Sequence, residues 1–177
     1  RARSCAIMTG IGTIKSDNPQ LTVRHIETTR QPKKIVLDSQ LSIPLSASLL
    51  QDEPAIIFTA NHHNQTKISQ LTKLGIQVIP LPANDGTVDL EKMLTLLATD
   101  FAMNEILVEA GSNLNGALLN ANLVDEIILY LAPHLLGDDA QGLFRLPELV
   151  DLKQKKTLIF EDIRTVGQDI RIVARFR

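Results

Sequence analysis

Continuous apolar runs alternate with helical patterns along most of the chain. Six runs predict strands, several of them unbroken stretches of Ile, Val and Leu, at 5–8, 34–37, 55–59, 77–80, 105–109 and 126–132. Unbroken apolar runs are typical of strands that are covered on both faces, as in parallel sheets. The alternation therefore predicts an α/β fold with a largely parallel sheet.

Three segments between these runs have the spacing of helices, namely 65–74, 89–102 and 113–122. In the second, apolar residues recur three and four positions apart, and Asp89 is placed to cap the first turn. The tail differs, because 156–165 and 169–176 are β-rich runs joined by Val166-Gly167-Gln168, which predicts an antiparallel hairpin. We expect this hairpin to finish a mixed, mostly parallel sheet as its antiparallel edge.

Composition narrows the function classes. A chain of 177 residues with 44% hydrophobic content is able to bury one substantial core, so a single domain is expected. A net charge of -2 and 3% aromatic residues argue against general nucleic-acid binding. No apolar run approaches the roughly 20 residues that span a bilayer. The single cysteine excludes an internal disulfide framework and suits a reducing cytoplasm, where we expect the protein to act.

A glycine-containing segment follows the first strand directly. Gly10 and Gly12 allow a ligand to approach the backbone, because no Cβ stands in the way. Thr13, Asp17 and Arg24 then add a hydroxyl, a carboxylate and a guanidinium within fifteen residues. Small, polar and charged groups just past a buried strand predict a binding site. This is not a dinucleotide fingerprint, since the third glycine is missing and 18–19 is Asn-Pro, which breaks the helix.

A second glycine turn follows the fifth predicted strand. Gly111 and the residues up to Ala117 form a glycine turn and the start of a helix, where free N–H groups and the helix dipole favour a phosphate. The turn is not a Walker A loop, because Ala117 and Leu118 stand where Lys and Ser or Thr belong. An ordinary turn capped by Ser112 or Asn113 explains these residues equally well.

Polar residues at other strand ends have two interpretations each. Glu109 ends a strongly apolar strand, so its carboxylate needs a polar ligand or a nearby arginine. Ser39 follows Asp38 at another strand end, where a hydroxyl either binds a phosphate or caps a turn. Asp17 also fits a simple turn residue. The His62-His63 pair has no further ligand at metal-binding spacing, so no metal site is predicted.

Taken together, these motifs resemble a known family. In order and spacing the chain is similar to the reductase half of the bifunctional riboflavin-biosynthesis deaminase/reductase, through Gly12-Thr13-Ile14-x-x-Asp17-x-Pro19-x-Leu21-Thr22-Val23-Arg24, Val36-Leu37-Asp38-Ser39, Val108-Glu109-Ala110-Gly111-x-x-Leu114-x-Gly116-Ala117-Leu118-Leu119, Leu123-Val124-Asp125-Glu126 and Ala132-Pro133-x-Leu135-Leu136-Gly137. The resemblance implies a dihydrofolate-reductase-like, three-layer αβα fold. It also implies that NADPH reduces the ribose of 5-amino-6-(5-phosphoribosylamino)uracil to a ribityl chain.

The resemblance also implies roles for individual residues. Thr13 and Asp17 are expected against the cofactor, with Asp17 also the leading candidate for proton handling. Leu21, Arg24 and Arg1 are expected to face the substrate, with Arg24 clamping its phosphate. Glu109 is expected to contact the substrate at the reaction end. Further cofactor contacts are expected at the adenosine phosphate and the pyrophosphate, from Ser39 and from Gly111, Ser112, Asn113, Leu114, Asn115, Gly116 and Ala117.

Alternatives stay open beside this interpretation. They are a dihydrofolate-reductase-like NADPH reductase of another pterin or pyrimidine, and a nucleotide-binding module without catalysis. The choice between NADPH and NADH is also open, since Ser39 tolerates a 2′-phosphate whereas Asp38 would repel one if it pointed that way. A homo-oligomer, a dimer above all, is expected through 126–136 and the hairpin, although core packing explains the same residues.

Two parts of the family pattern are missing from this sequence. The zinc deaminase signatures of the amino-terminal half are absent, and so are the first strand and helix of the reductase half. We therefore expect 1–177 to be a reductase domain without its first strand and helix, and part of a larger enzyme. Zinc is expected only in the missing deaminase half.

Overall fold

The computed structural model describes residues 1–52, 54–61 and 63–177, with the backbone alone at Asp52. The chain forms two compact units, Arg1–Leu114 and Asn115–Arg177. The elements, in chain order, are β1 (Ala6–Gly10), α1 (Ile11–Asp17), β2 (Lys33–Leu37), α2 (Leu49–Asp52), β3 (Ala55–Thr59), α3 (Gln65–Lys73), β4 (Gln77–Pro80), α4 (Leu90–Thr99), β5 (Ile106–Val108), α5 (Ser112–Asn120), β6 (Glu126–Leu131), a 3-10 turn (Leu152–Gln154), β7 (Leu158–Val166) and β8 (Asp169–Phe176).

The first unit is built on a parallel sheet. Its five strands lie in the order β4-β3-β2-β1-β5, with β1 pairing in parallel with both β2 and β5. Ala6, Ile7 and Met8 of β1 are completely buried. The unbroken apolar runs therefore correspond to strands covered on both faces, and the predicted α/β class with a mostly parallel sheet is confirmed.

A hydrophobic cluster surrounds β2 and β3 and includes residues of three helices, namely Ile14 of α1, Leu49 and Leu50 of α2, and Leu71 of α3. Two charged side chains, Lys34 and Asp38, are also buried in this unit. Lys34 of β2 is 1% exposed and donates from Nζ to the backbone oxygen of Leu49 at 2.9 Å. That hydrogen bond helps to offset the cost of placing a cation inside the unit.

Two helices of the first unit, α3 and α4, start at side-chain caps. The Asp89 carboxylate accepts the N–H of Lys92 at 3.0 Å, as predicted, and Asn64 accepts from Lys67 at 3.0 Å to start α3. The helix α1 was not predicted, because Asn18-Pro19 was expected to break any helix there. Instead, α1 fits into seven residues and ends at Asp17, with Asn18 in the left-handed conformation at φ 43°.

The second unit contains an antiparallel sheet. Its strands lie in the order β6-β8-β7, and β7 and β8 form the predicted hairpin around Gly167, whose φ is 63°. One detail of the prediction is wrong. Among the described residues the hairpin pairs with β6 in a sheet of its own, rather than extending the parallel sheet as an edge. Apolar patterning predicts that strands form, but not which strand is the neighbour.

Gly116 lies in a tight contact within the second unit. A Cβ added there would lie 2.1 Å from the backbone oxygen of Arg145, so no other residue fits without moving that backbone. Asn115 donates to the oxygen of Leu143 at 3.4 Å. The segment 143–145 is thus packed against α5, which gives Gly116 a packing reason independent of any ligand.

Candidate functional site

The loops that follow β1, β2 and β5 emerge at one edge of the parallel sheet. This follows from the pairing, because parallel neighbours end on the same side. The Thr9 hydroxyl donates to the backbone oxygen of Glu109 at 2.8 Å, and the N–H of Glu109 donates to Met8 at 2.9 Å. Gly10 lies against Leu114, since a Cβ on Gly10 would be 3.6 Å from that side chain. The two glycine segments therefore meet.

Arg1 joins the loop after β5 to the segment after α1. Its Nε and Nη2 donate to the two carboxylate oxygens of Glu109 at 2.7 and 2.5 Å, and its Nη1 donates to the backbone oxygen of Thr22 at 2.8 Å. The hydrogen bond to Glu109 raises the pKa of the Arg1 guanidinium. The partner that the strand-end carboxylate needs is thus an arginine that is itself expected to contact substrate.

The segment 18–24 is fixed by backbone contacts. Gln31 donates to the oxygen of Val23 at 3.4 Å and accepts its N–H at 2.8 Å, which holds the residue before Arg24 from both sides. Arg24 is exposed and forms no ion pair or hydrogen bond with any described residue. An unpaired guanidinium on a fixed backbone is ready to bind an anion.

Leu21 is buried at the bend after α1, and its contact with substrate stays a prediction. Its side chain is 2% exposed, so it packs inside the protein rather than presenting a surface at the edge. Its φ of 53° lies in the left-handed region, which is unfavourable for a leucine. The burial of the side chain fixes the bend that leads from α1 to Thr22 and Arg24.

The helix α1 carries Thr13 and Asp17 away from Gly10. Ile14 is buried and anchors the helix, Thr13 is half-buried, and Asp17 is exposed at the last helical position. A carboxylate there opposes the helix dipole, whose negative end lies at the carboxyl terminus. Asp17 also forms no hydrogen bond or ion pair with any described residue that would offset this effect. A position that is unfavourable for stability and lies beside a candidate site is a reasonable place for a functional group.

Open space borders two of the glycines at this edge. A Cβ placed on Gly12 or on Gly111 would meet no atom within 4 Å. The helix α5 begins at Ser112, immediately after Gly111, and the first turn of any α-helix leaves backbone N–H groups unpaired. Of the seven residues expected at the pyrophosphate, Gly111, Ser112, Asn113 and Leu114 belong to the first unit, and Asn115, Gly116 and Ala117 to the second.

Ser39 lies in a turn after β2. Its carbonyl accepts the N–H of Ala60 at 3.1 Å and the hydroxyl of Thr59 at 3.2 Å, and the residue is half-buried. The adjacent Asp38 is 0% exposed and accepts the N–H of Ile43 at 2.7 Å. Asp38 is therefore the residue that caps the turn. The hydroxyl of Ser39 has no hydrogen-bond partner among the described residues.

The structure brings together Arg1, Glu109 and the backbone next to Arg24, and it places Gly10 beside Leu114. Sequence reasoning missed Thr9, Thr22 and Gln31, which hold these parts in place. No local signal marks them, because their partners are 100, 21 and 8 residues away. In the described ranges, no group of three or more metal-binding side chains occurs. Of the histidine pair, His62 lies outside the described residues.

Comparisons with known proteins agree with this architecture. A family model described as the RibD C-terminal domain matches residues 1–172. The riboflavin biosynthesis protein RibD of Escherichia coli K12 is 36% identical over 96% of this chain and 48% of its own length, so the chain spans about half of that relative. The 5-amino-6-(5-phosphoribosylamino)uracil reductase of Buchnera aphidicola subsp. Acyrthosiphon pisum is 30% identical, over 98% of this chain and 87% of its own.

A solved structure supports the same assignment. The RibD protein of Acinetobacter baumannii superposes with a TM-score of 0.85 and 29% identity, covering 98% of this chain and 47% of its own. The described helices of the present chain include none long and apolar enough to span a membrane. The agreement extends to the parallel sheet and the small antiparallel sheet of a dihydrofolate-reductase-like fold. The chain belongs to the RibD C-terminal domain family.

Proposed function

We propose that this chain is the NADPH-dependent reductase of 5-amino-6-(5-phosphoribosylamino)uracil, which converts the ribose to a ribityl chain in riboflavin biosynthesis. Family membership and the name of a relative of similar length support this. The observation that carries the proposal is Arg24, an exposed guanidinium without a described partner on a backbone held by Arg1 and Gln31. Such a group suits the phosphate of a sugar ester.

The substrate would lie between Arg24 and the Arg1–Glu109 pair. Arg24 would bind the phosphate, while Glu109 and Arg1 offer an acceptor and a donor for the polar groups of the pyrimidine or the sugar. Side-chain exposures of 28% for Arg1 and 32% for Glu109 leave both groups accessible to a ligand. Leu21 would contribute by shaping the bend beneath this surface, because its side chain is buried.

The residues present also fit NADPH. The open space at Gly12 and Gly111 leaves room for a ligand against the backbone, and the N–H groups at the start of α5 suit its pyrophosphate. Thr13 and Asp17 on α1, Ser39 after β2 and the segment Gly111 to Ala117 would hold it. When bound, NADPH supplies a hydride to the imine-like carbon of the ring-opened sugar.

Asp17 would handle the proton that accompanies reduction. Its carboxylate is exposed at the end of α1 and forms no hydrogen bond or ion pair with any described residue. The loops on either side would orient the reacting carbon and exclude water, which is the main contribution of the protein to hydride transfer.

A substrate series tests the proposal. The natural full-length protein is mixed with NADPH and with either the phosphorylated or the unphosphorylated ribosylaminopyrimidine, and oxidation of NADPH is followed by absorbance. We expect oxidation with the phosphorylated compound and at least about tenfold lower kcat/KM without the phosphate, since a charge-assisted pair is lost. Equal rates with both would favour a reductase for another pyrimidine. No substrate-dependent oxidation would favour a binding module.

We also propose that the protein forms a homodimer through one face of the antiparallel sheet. Residues opposite one another in register share a face, and one face combines Ile163, Ile172 and Leu129 with Phe160 and Ile170. Ile163 is 57% and Phe160 61% exposed. On the other face Arg171 pairs with Asp162 at 2.8 Å. The first face carries no charged residue, whereas the other mixes charged and apolar side chains. An exposed face without charges suits a second copy of the same chain.

Ile163→Lys is expected to convert the dimer to a monomer, because it places a charge in the centre of this apolar face. Sedimentation velocity over a range of protein concentrations measures the change. Leu74→Lys, at an exposed apolar position beyond α3, is the matched control and should leave the dimer intact. A natural protein that is monomeric throughout this range would contradict the proposal.

The expected compartment follows from cysteine chemistry. Cys5 is the one cysteine of this sequence, so no internal disulfide is available to it. A chain that does not depend on disulfides is suited to a reducing compartment. We therefore propose that the reaction takes place in the cytoplasm.

A further inference from the structure

The carboxylate of Asp38 is withdrawn into its own turn at the carboxyl end of β2. Its Oδ2 accepts the backbone N–H of Ile43 at 2.7 Å, and its Oδ1 accepts the hydroxyl of Ser42 at 3.2 Å. The residue is 0% exposed, whereas the adjacent Ser39 keeps part of its surface in solvent. The negative charge is therefore used inside the turn and is not presented to a ligand.

Ser39 is held by its backbone rather than by its side chain. Its carbonyl accepts two hydrogen bonds from the end of β3, and the N–H of Asp38 donates to the oxygen of Phe58 at 2.9 Å. The Ser39 hydroxyl forms no hydrogen bond with any described residue. The turn thus offers a hydroxyl on a backbone that is anchored at both residues.

In other dinucleotide-binding sites, an acidic residue at the position of Asp38 contacts the ribose of the coenzyme. At the end of the second strand, an outward carboxylate binds the 2′-hydroxyl of an unphosphorylated ribose. The same carboxylate would repel a 2′-phosphate, which carries negative charge at short range. In this chain the acid is present, but its two oxygens are already occupied by Ile43 and Ser42.

We infer that Asp38 determines the choice of coenzyme. By turning inward it removes a negative charge from the ribose pocket and fixes Ser39, so that the turn accepts the 2′-phosphate of NADPH in preference to the ribose diol of NADH. Asp38 is a positioning residue, because it acts through Ser39 and does not touch the coenzyme. This inference rests on the proposed function, which supplies NADPH as the reductant.

The test is the ratio of kcat/KM with NADPH to kcat/KM with NADH, measured in the natural full-length protein. Asp38→Ala is expected to lower this ratio about tenfold, as for one lost hydrogen bond to a charged group. The Ile43 N–H and the Ser42 hydroxyl lose their acceptor, so the turn no longer holds Ser39. NADH has no 2′-phosphate, and its kcat/KM should change little.

Two variants serve as controls for a structural effect. Asp38→Asn keeps an oxygen for Ile43 and adds an amide donor for Ser42, so it should retain the natural ratio. Asp85→Ala removes a carboxylate from a similar turn, where it accepts the N–H and hydroxyl of Thr87 at 2.9 and 2.7 Å, and it should leave the ratio unchanged.

A further variant keeps the inference testable if Asp38→Ala does not fold. Ser39→Asp adds a carboxylate at the partly exposed position and should abolish the preference for 2′,5′-ADP over 5′-AMP, measured by calorimetry. Parallel loss with both coenzymes in Asp38→Ala, or an undiminished preference in Ser39→Asp, would overturn the inference. If the natural protein binds 2′,5′-ADP more tightly than 5′-AMP but reduces no substrate, the proposed function is contradicted. The role of Asp38 is then decided by the same two affinities in Asp38→Ala, where a retained preference would overturn it.

Discussion

Replacing Arg24 with alanine is expected to raise the KM for the phosphorylated substrate by about 10- to 100-fold, the range for a charge-assisted hydrogen bond to phosphate. The affinity for NADPH should change less than about threefold, since only uniform substrate binding is removed. The physical reason is that Arg24 is exposed, has no described partner and lies on a backbone that Gln31 fixes at Val23. Initial-rate kinetics with varied substrate, together with NADPH titration, separates the two effects.

The controls for Arg24 use charge and position. Arg24→Lys keeps the charge but loses the two-pronged geometry, so its KM should lie between those of the natural protein and the alanine variant. Arg3→Ala removes an exposed arginine that pairs with Glu105 at 3.0 Å before β5 begins, and it should leave KM unchanged. Equal losses of substrate and NADPH affinity in Arg24→Ala would contradict the proposed separation of the two binding regions.

Asp17→Asn is expected to lower kcat by about 100-fold or more, which is the usual contribution of a positioned proton donor or acceptor. The melting temperature should stay the same or rise slightly, because the carboxylate lies at the unfavourable end of the α1 dipole. The amide is nearly the same size as the acid, so the shape of the site is kept. Steady-state kinetics and thermal unfolding of the same preparation test both expectations.

Asp100→Asn is the matched control for Asp17. Asp100 also lies at the end of a helix, where it caps α4 and accepts the hydroxyl of Thr99 at 2.7 Å. Its replacement should leave kcat unchanged. Normal turnover in Asp17→Asn would exclude Asp17 from proton handling, and loss of folding would favour its interpretation as a turn residue.

Local pattern was enough to predict most of the elements. The strands β3 and β4 have the predicted bounds, since each is a short apolar run between clear breaks. The Asp89 cap was predictable because a cap depends on residues three positions away. By contrast, α1 is short and lies between a glycine and Asn-Pro, so its pattern does not distinguish a single helical stretch from a loop.

The contacts that assemble the site could not be predicted from the local sequence pattern. Glu109 was expected to need either a ligand or an arginine, and the choice of Arg1 depends on a pairing across 108 residues. The direction of Asp38 depends on the path of the chain to Ile43, which strand propensity does not specify. The burial of Leu21 was also not predictable, because a motif gives a position in the chain, whereas the burial of a side chain depends on the surrounding packing.

The most direct test of the central claim is to follow isotope from NADPH carrying deuterium at the transferred position of the nicotinamide. The proposed function requires that the segment after β1 and the segment Gly111 to Ala117 bring the nicotinamide into contact with the sugar carbon. We therefore expect one deuterium per product molecule, bound to the first carbon of the ribityl chain and not exchanged with water. Product without deuterium, or deuterium released to solvent, would contradict the account.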